Sequence, residues 1–144
     1  MGYQRATRGK QLVGDVAGDF VTATYRQNAN ASLADEAFFI ADRAYEVVGV
    51  SQIHSTAGSD GSAVNLQVTK DTGTNAPGAG TDLLTNNSNA GFNLKGTANT
   101  VQTGTLTATL ATKRLAAGDR LSVDFAGTLT AVAGVVVTVR LKRL

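Results

Sequence analysis

The C-terminal stretch Leu115–Leu144 constrains the fold more than any other part of this sequence, because apolar and polar residues alternate along it. A period of two is typical of a strand that buries one face. The apolar positions are Leu121, Val123 and Phe125 in the first strand signal, and Val135, Val137, Val139 and Leu141 in the second. A buried row must be covered by other parts of the chain, so the sequence predicts that the last strand lies inside a sheet.

The composition favours a protein made of strands. Only 17% of the residues are charged and 16 are glycine, which is a poor composition for long solvated helices. Threonine and valine, which fit pleated and half-buried surfaces, are abundant. A chain of 144 residues is long enough for one domain with a sizeable core.

Further strands are predicted upstream of this stretch. The segments with strand signals are Phe20–Arg26, Phe38–Ile40, Arg43–Ser55, Val64–Val68, Phe92–Lys95 and Thr103–Ala111. Gly49, in the middle of its strand, indicates a bulge or a closely approaching neighbour. Gly58–Gly61 has the composition of a hairpin turn. In the Thr103–Ala111 segment, Leu106 is predicted to face inward.

The sequence predicts about eight antiparallel strands and one short helix near residues 78–84. Pro77 suits the first turn of that helix, and Leu83 and Leu84 would close one end of the sandwich. This number of strands favours a jelly-roll β-sandwich. An immunoglobulin-like sandwich is the alternative, and the pattern alone does not separate the two.

Residues 1–18 are predicted to be an extended basic N-terminal arm, and residues 19–144 the sandwich domain. The arm shows no periodicity and carries three basic residues before its first acid, Asp15. Its candidate partner contacts are Tyr3, Arg5, Arg8, Lys10, Leu12 and Val13. The alternative interpretation is a frayed terminus.

No catalytic or metal-binding motif is recognisable. His54 is the only histidine and cysteine is absent, so neither a multi-histidine metal site nor a Cys–His pair is possible. His54 is interpreted as an ordinary strand-end residue. The residues Asp71, Asp82, Asp119 and Asp124 lack the spacing of a calcium loop and are assigned turn and strand-end roles. The sequence therefore predicts a protein that is not an enzyme and has no cofactor or metal.

Charge and hydropathy limit the classes of partner. A net charge of +2 is too small to indicate nucleic-acid binding, and the basic end formed by Arg140, Lys142 and Arg143 is interpreted as a solvated face. No apolar run approaches the ~20 residues of a membrane helix. No secretory signal is recognisable, so synthesis in the cytoplasm is expected.

From Phe38 onward the chain resembles the small jelly-roll decoration, or cement, proteins of tailed-bacteriophage capsids. The segments that carry the resemblance are Phe39–Tyr45, Ala57–Gly61, Ala76–Thr81, Ala98–Val101 and Leu115–Leu121. They are scaffold segments, and residues 1–18 are not covered.

The resemblance implies a structural virion protein on the outer capsid surface. Such a protein binds the major capsid protein, cements neighbouring subunits against internal DNA pressure, and associates with copies of itself as a dimer or trimer. No direct contact with nucleic acid or membrane is expected. The alternative is a carbohydrate- or receptor-binding module, since jelly rolls serve as lectins. Against that alternative, tryptophan is absent and the tyrosines are scattered.

Overall fold

A computed structural model describes residues 19–27, 33–86 and 91–144, and these residues form ten strands and one short helix. In chain order the elements are β1 (Phe20–Arg26), β2 (Glu36–Ile40), β3 (Tyr45–Ile53), β4 (Asn65–Asp71), β5 (Thr81–Asp82), β6 (Phe92–Asn93), β7 (Gln102–Thr103), α1 (Leu110–Lys113), β8 (Arg114–Leu115), β9 (Arg120–Ala126) and β10 (Val136–Arg143). The predicted arm, residues 1–18, lies outside the described residues.

The strands pair in a nested order. β1 pairs with β10, β2 with β9, β3 with β8, and β4 with β5, all antiparallel. The chain thus forms one long antiparallel hairpin, in which the first strands pair with the last ones. Folding of this hairpin brings β10 beside β3 and β9 beside β4, and these strands also pair. Sheet A has the order β1-β10-β3 with β7 and β8 beyond β3, and sheet B has the order β2-β9-β4 with β5 and β6 beyond β4. This is the double-sheet jelly roll, so the predicted fold class is confirmed.

Four of the strands are only two residues long, and they share positions in the sheets. β7 and β8 both pair with β3, while β5 and β6 both pair with β4. Each sheet therefore has four strand positions, in agreement with the prediction of about eight strands.

The alternation predicted the core correctly where the strands are long. In β10 the side chains of Val137, Val139 and Leu141 are fully buried between the sheets, while Thr138 is half-buried and Arg140 is exposed. β3 contains the irregularity predicted at Gly49, because its register against β10 shifts between Val47 and Gly49. The extra residue reverses the alternation, so Val47 and Val50 both face the core.

The predicted helix near residues 78–84 is wrong. Thr81 and Asp82 instead form β5, which pairs with Thr69 and Lys70 of β4. The chain approaches β4 so closely that a Cβ on Gly80 would lie 2.0 Å from the Lys70 carbonyl oxygen. Leu83 and Leu84 are nevertheless buried in the core, as predicted.

The Thr103–Ala111 strand is also largely wrong. Only Gln102–Thr103 pairs with sheet A, after which residues 105–107 pair with residues 83–85 through Thr85 N–Thr105 O and Thr107 N–Leu83 O. Leu106 packs against the core but is only half-buried. The segment then forms α1, and the Lys70 ammonium group donates hydrogen bonds to the Ala111 carbonyl oxygen in α1 and to the Arg114 carbonyl oxygen just after it. A period of two does not say which partner the backbone will find, and here the partner changes within the segment.

Gly58–Gly61 is not a hairpin turn. The strands on either side of it, β3 and β4, lie in different sheets, so the connection crosses from one sheet to the other. The inward row predicted for the following strand is confirmed, since Val64, Leu66 and Val68 are fully buried.

The outer faces of the two sheets differ in how they are covered. On sheet B the outward side chains of Ser122 and Thr69 are fully buried, and Gln67 is 4% exposed. The connection between β4 and β5 lies over Ser122 and Thr69, with Gly78 against the side chains of Asp124 and Asp35. The Gln67 side chain instead exchanges hydrogen bonds with the Leu84 backbone. On sheet A no described segment lies over the outward side chains in this way.

Candidate functional site

His54 follows the last residue of β3 and is completely buried. Its Nε2 lies 3.0 Å from the Gly96 carbonyl oxygen, and its Nδ1 lies 3.2 Å from the side-chain nitrogen of Gln52. Because a carbonyl only accepts, Nε2 carries the proton and Nδ1 accepts from the Gln52 amide. Nε2 therefore ties the 94–99 connection to the end of β3, Nδ1 is engaged by Gln52 of β3, and neither nitrogen is available to a ligand.

Asp71, at the end of β4, is completely buried beneath the connection that follows it. One carboxylate oxygen accepts hydrogen bonds from the Thr69 hydroxyl at 3.0 Å and the Gly80 amide at 2.9 Å. The other accepts from the Gly78 amide at 3.2 Å and from the Ser122 hydroxyl. Four donors occupy the carboxylate, so the strand-end role predicted for Asp71 is confirmed.

Two other carboxyl groups lie near Asp71 on the outer side of sheet B. Burial raises the pKa of Asp124, and the neighbouring carboxylates of Asp35, Asp82 and Asp71 raise it further. Partial burial also raises the pKa of Asp82, whose side chain remains largely exposed. In the described part of the chain, no group of three or more His, Asp or Glu side chains is arranged to hold a metal ion.

Asp119 has the turn role predicted for it. Its carboxylate accepts a hydrogen bond from the Ala116 amide at 2.8 Å, and Gly118 beside it has a φ of +93°. A positive φ is accessible to glycine at little cost, which explains the Ala117–Asp119 turn signal.

The six candidate contact residues of the arm, Tyr3, Arg5, Arg8, Lys10, Leu12 and Val13, all lie outside the described residues. Their assignment stays a prediction. Within the described residues, two other surfaces offer contacts to a partner.

The first surface is the outer face of sheet A. A row of small hydroxyl side chains crosses all four strand positions, from Thr24 to Thr138 to Ser51 to Thr103. The next row holds Thr22, Arg140 and Gly49. Gly49 contributes no side chain, so a shallow depression of about 400 Å³ lies there between the threonines and Arg140. Short β-branched side chains on a sheet have few rotamers to lose, which makes this a flat and rigid surface.

Charge is unevenly divided between the sheets. The strands of sheet A contain five basic residues and one acidic residue, Glu46. The strands of sheet B contain two basic and four acidic residues. The two basic residues of sheet B are engaged locally, since Lys70 binds the end of α1 and Arg120 donates to the Gly73 and Asn75 carbonyl oxygens. The strands of sheet A thus carry a net positive formal charge, and the strands of sheet B carry a net negative one.

The second surface is the edge formed by β1 and β2. The Tyr25 hydroxyl donates to Glu36 across it at 3.2 Å, and burial together with Glu36 raises the pKa of Tyr25 to about 12. No described strand pairs with the outer edge of β2, where Ile40 is 69% exposed. Next to Ile40 lies a largely apolar depression of about 440 Å³ lined by residues 37–40 and Arg120. A free strand edge beside apolar side chains is suited to the addition of an extended segment.

Sequence reasoning found part of the first surface, the outer face of sheet A. The alternation in β1 and β10 placed Thr24, Thr138 and Arg140 outward, which is correct. It could not align those residues with Ser51 and Thr103, because the alignment depends on pairing between segments far apart in the chain.

Comparisons of this chain with family models, with curated proteins and with solved structures gave no match. Among the described residues, no helix has the length and apolar character needed to cross a membrane.

Proposed function

We propose that this chain is a structural virion protein that binds the outside of a tailed-bacteriophage capsid and cements neighbouring subunits of the major capsid protein. The proposal begins from the resemblance of Phe39–Tyr45 and the other scaffold segments to capsid decoration proteins. The observation that supports it best is the jelly roll itself, whose long connections are held by hydrogen bonds while no described segment covers the outer face of sheet A.

The hydrogen bonds that hold the connections between strands in place matter for a protein that cements capsid subunits. Asp71 and Arg120 hold the connection between β4 and β5, His54 holds the 94–99 connection, and Lys70 holds α1. A clamp with rigid connections loses little conformational entropy when it binds, so more of the contact energy is left to hold the seam.

The area of the outer face of sheet A also agrees with a contact that is weak in each copy and is repeated over the capsid. Three strands of seven to nine residues and the two-residue strands β7 and β8, spaced about 4.8 Å apart, give sheet A an outer face of roughly 450 Å². This is about half of what one partner contributes to a standard interface, so a single contact is expected to be weak. Association with further copies, as a dimer or trimer, would make the attachment multivalent.

The carbohydrate-binding alternative has less support. Sugar platforms need exposed aromatic rings, whereas Tyr25 and Tyr45 are each only 5% exposed in the core. Phe20 lies at the surface, but the Arg140 guanidinium covers its ring at 4.3 Å.

The test is co-sedimentation of the purified full chain with capsid shells that lack it. The protein is expected to pellet with the shells at a saturating stoichiometry set by the shell symmetry, and to raise the temperature at which the shells release their DNA. Failure to pellet with any shell of the source phage would refute the proposal.

A further inference from the structure

Among the described residues, no segment covers the outer face of sheet A, and basic residues dominate its charge. Its outward basic residues are Arg26, Arg114, Arg140 and Lys142, and its one acid is Glu46. None of these four basic residues forms an ion pair with a carboxylate of the described residues. In the register of the strands, Arg140 and Lys142 lie on one side of the hydroxyl row and Arg26 lies on the other. The face therefore combines long-range attraction for anions with short hydrogen-bonding groups.

We infer that this face is the docking surface for a flat, acidic protein surface. The inference rests on the proposed function, in which that surface belongs to the capsid shell. Charge complementarity guides the encounter and fixes orientation, and the rigid hydroxyl row from Thr24 to Thr103 then supplies the short-range contacts.

The charges disfavour the other occupants. The chain's own residues 1–18 carry Arg5, Arg8 and Lys10, so they would be repelled by the basic face. A second copy presenting the same face would also be repelled. Its sheet B is acidic, but the connection over that sheet covers much of the outer side.

Nucleic acid fits the face less well than an acidic protein. Glu46 lies between Lys142 and Arg114 in the register of the strands, where it would repel a phosphate. Stacking of single-stranded bases needs a row of aromatic rings, and of the described residues on this face only Phe20 is aromatic.

The first experiment uses a defined probe. Binding of the full chain to immobilised poly-L-glutamate is measured at increasing salt, beside duplex DNA of equal charge. Arg140→Glu is expected to weaken binding to poly-L-glutamate about tenfold at low salt, and Lys142→Glu serves as a second variant if the first does not fold. Lys95→Glu is the matched control, because it makes the same change in charge at an exposed site beside Asn65 and Asn93 of sheet B. It is expected to bind nearly as well as the unchanged protein.

The second experiment repeats the comparison with capsid shells. If the unchanged protein does not pellet with shells, the proposed function fails, whatever the polyanion result. If it pellets and Arg140→Glu pellets equally well, the function stands and the inference fails. The inference is supported if Arg140→Glu and Lys142→Glu lose the shells while Lys95→Glu keeps them.

Three other results would overturn the inference. The first is equal loss of poly-L-glutamate binding in the sheet A variants and in Lys95→Glu. The second is tighter binding to duplex DNA than to poly-L-glutamate, which would assign the face to nucleic acid. The third is self-association of the unchanged protein that Arg140→Glu abolishes in analytical ultracentrifugation, which would make the face a contact between copies.

Discussion

Single buried polar residues hold the connections of this sandwich in place. Asp71 shows how they do so, because its carboxylate receives two backbone amides from residues 78 and 80 and two hydroxyls from the sheet. A buried carboxylate without donors would be costly, whereas one with four charge-assisted hydrogen bonds is stable. The same four bonds fix where the connection between β4 and β5 lies.

Replacing Asp71 by alanine is expected to lower the free energy of unfolding by about 3 kcal/mol, because several buried donors lose their acceptor. The measurement is urea unfolding, together with the rate at which a protease cuts residues 72–80. Asp82→Ala is the control, since Asp82 is exposed and a change there is expected to stay within about 0.5 kcal/mol. Equal unfolding midpoints for the two variants would contradict the role given to Asp71.

Asp124 provides a prediction about pH. Its pKa is raised in the folded protein by burial and by neighbouring carboxylates, so its charged form opposes folding at neutral pH. Asp124→Asn should therefore raise the melting temperature at pH 7 by about 1–4 °C. The gain should fade as the pH falls through the raised pKa toward the ordinary value near 4, because the native carboxyl then becomes neutral.

Asp42→Asn is the matched control, with the opposite sign. The pKa of Asp42 is lowered, first by the hydrogen bond from the Tyr45 hydroxyl. Its charge therefore stabilises the fold above the ordinary pKa, and that contribution is lost as the pH falls through the lowered value. Asp42→Asn should reduce stability at pH 7 and have no effect in strong acid. Parallel behaviour of the two variants would contradict both assignments.

Among the strands, β10 shows most clearly that the two faces of one element have different roles. One face supplies the core through residues such as Val137, which is completely buried. The other supplies the hydroxyl row and Arg140. This division into a buried and an exposed face does not hold for every strand. Ser122 lies on the outer face of β9, yet the connection between β4 and β5 buries it.

Val137→Asp is expected to unfold the protein, because it puts an unpaired charge between the sheets. The cost is several kcal/mol against a total stability of about 5–15 kcal/mol. Thr138→Asp, one residue further on, should cost about 1 kcal/mol or less. Circular dichroism and thermal melts test the pair, and equal damage would mean that the facing of β10 is wrong. Leu106→Asp, which the alternation ranks with Val137→Asp, should be milder because Leu106 is only half-buried.

At the scale of the whole molecule, the sandwich and the N-terminal segment can be separated experimentally. The first described strand begins at Phe20, and the Asp19 carbonyl accepts a hydrogen bond from the Arg143 amide at 2.6 Å. A chain that starts at Asp19 therefore keeps every described strand. The proposal for residues 1–18 is that they extend across a subunit boundary, where an extended chain spans up to about 3.3 Å per residue.

The chain truncated to begin at Asp19 is expected to fold, as judged by circular dichroism, but to bind capsid shells more weakly. The salt dependence of binding should also decrease, because Arg5, Arg8 and Lys10 are removed. Binding as tight as that of the full chain would mean that residues 1–18 are only a terminus, and that the surfaces of the sandwich make the contacts.

The sequence by itself determined the all-β class and the core of the long strands, as β10 and β4 illustrate. The reason is physical: a strand has a period of two, so alternation reports directly which side chains turn away from water. The bulge at Gly49 was also readable, because a glycine within an alternating strand weakens the regular pairing.

Only the tertiary structure decided what covers each face and which segments meet. Ser122 and Thr69 are polar and look solvent-facing in the sequence, yet they are buried because the connection between β4 and β5 folds over them. Residues 105–107 alternate like a strand of sheet A, yet they pair with residues 83–85. The hydroxyl row joins residues as distant as Thr24 and Thr138. Such placements depend on pairing between segments far apart in the chain, and local periodicity carries no information about the partner.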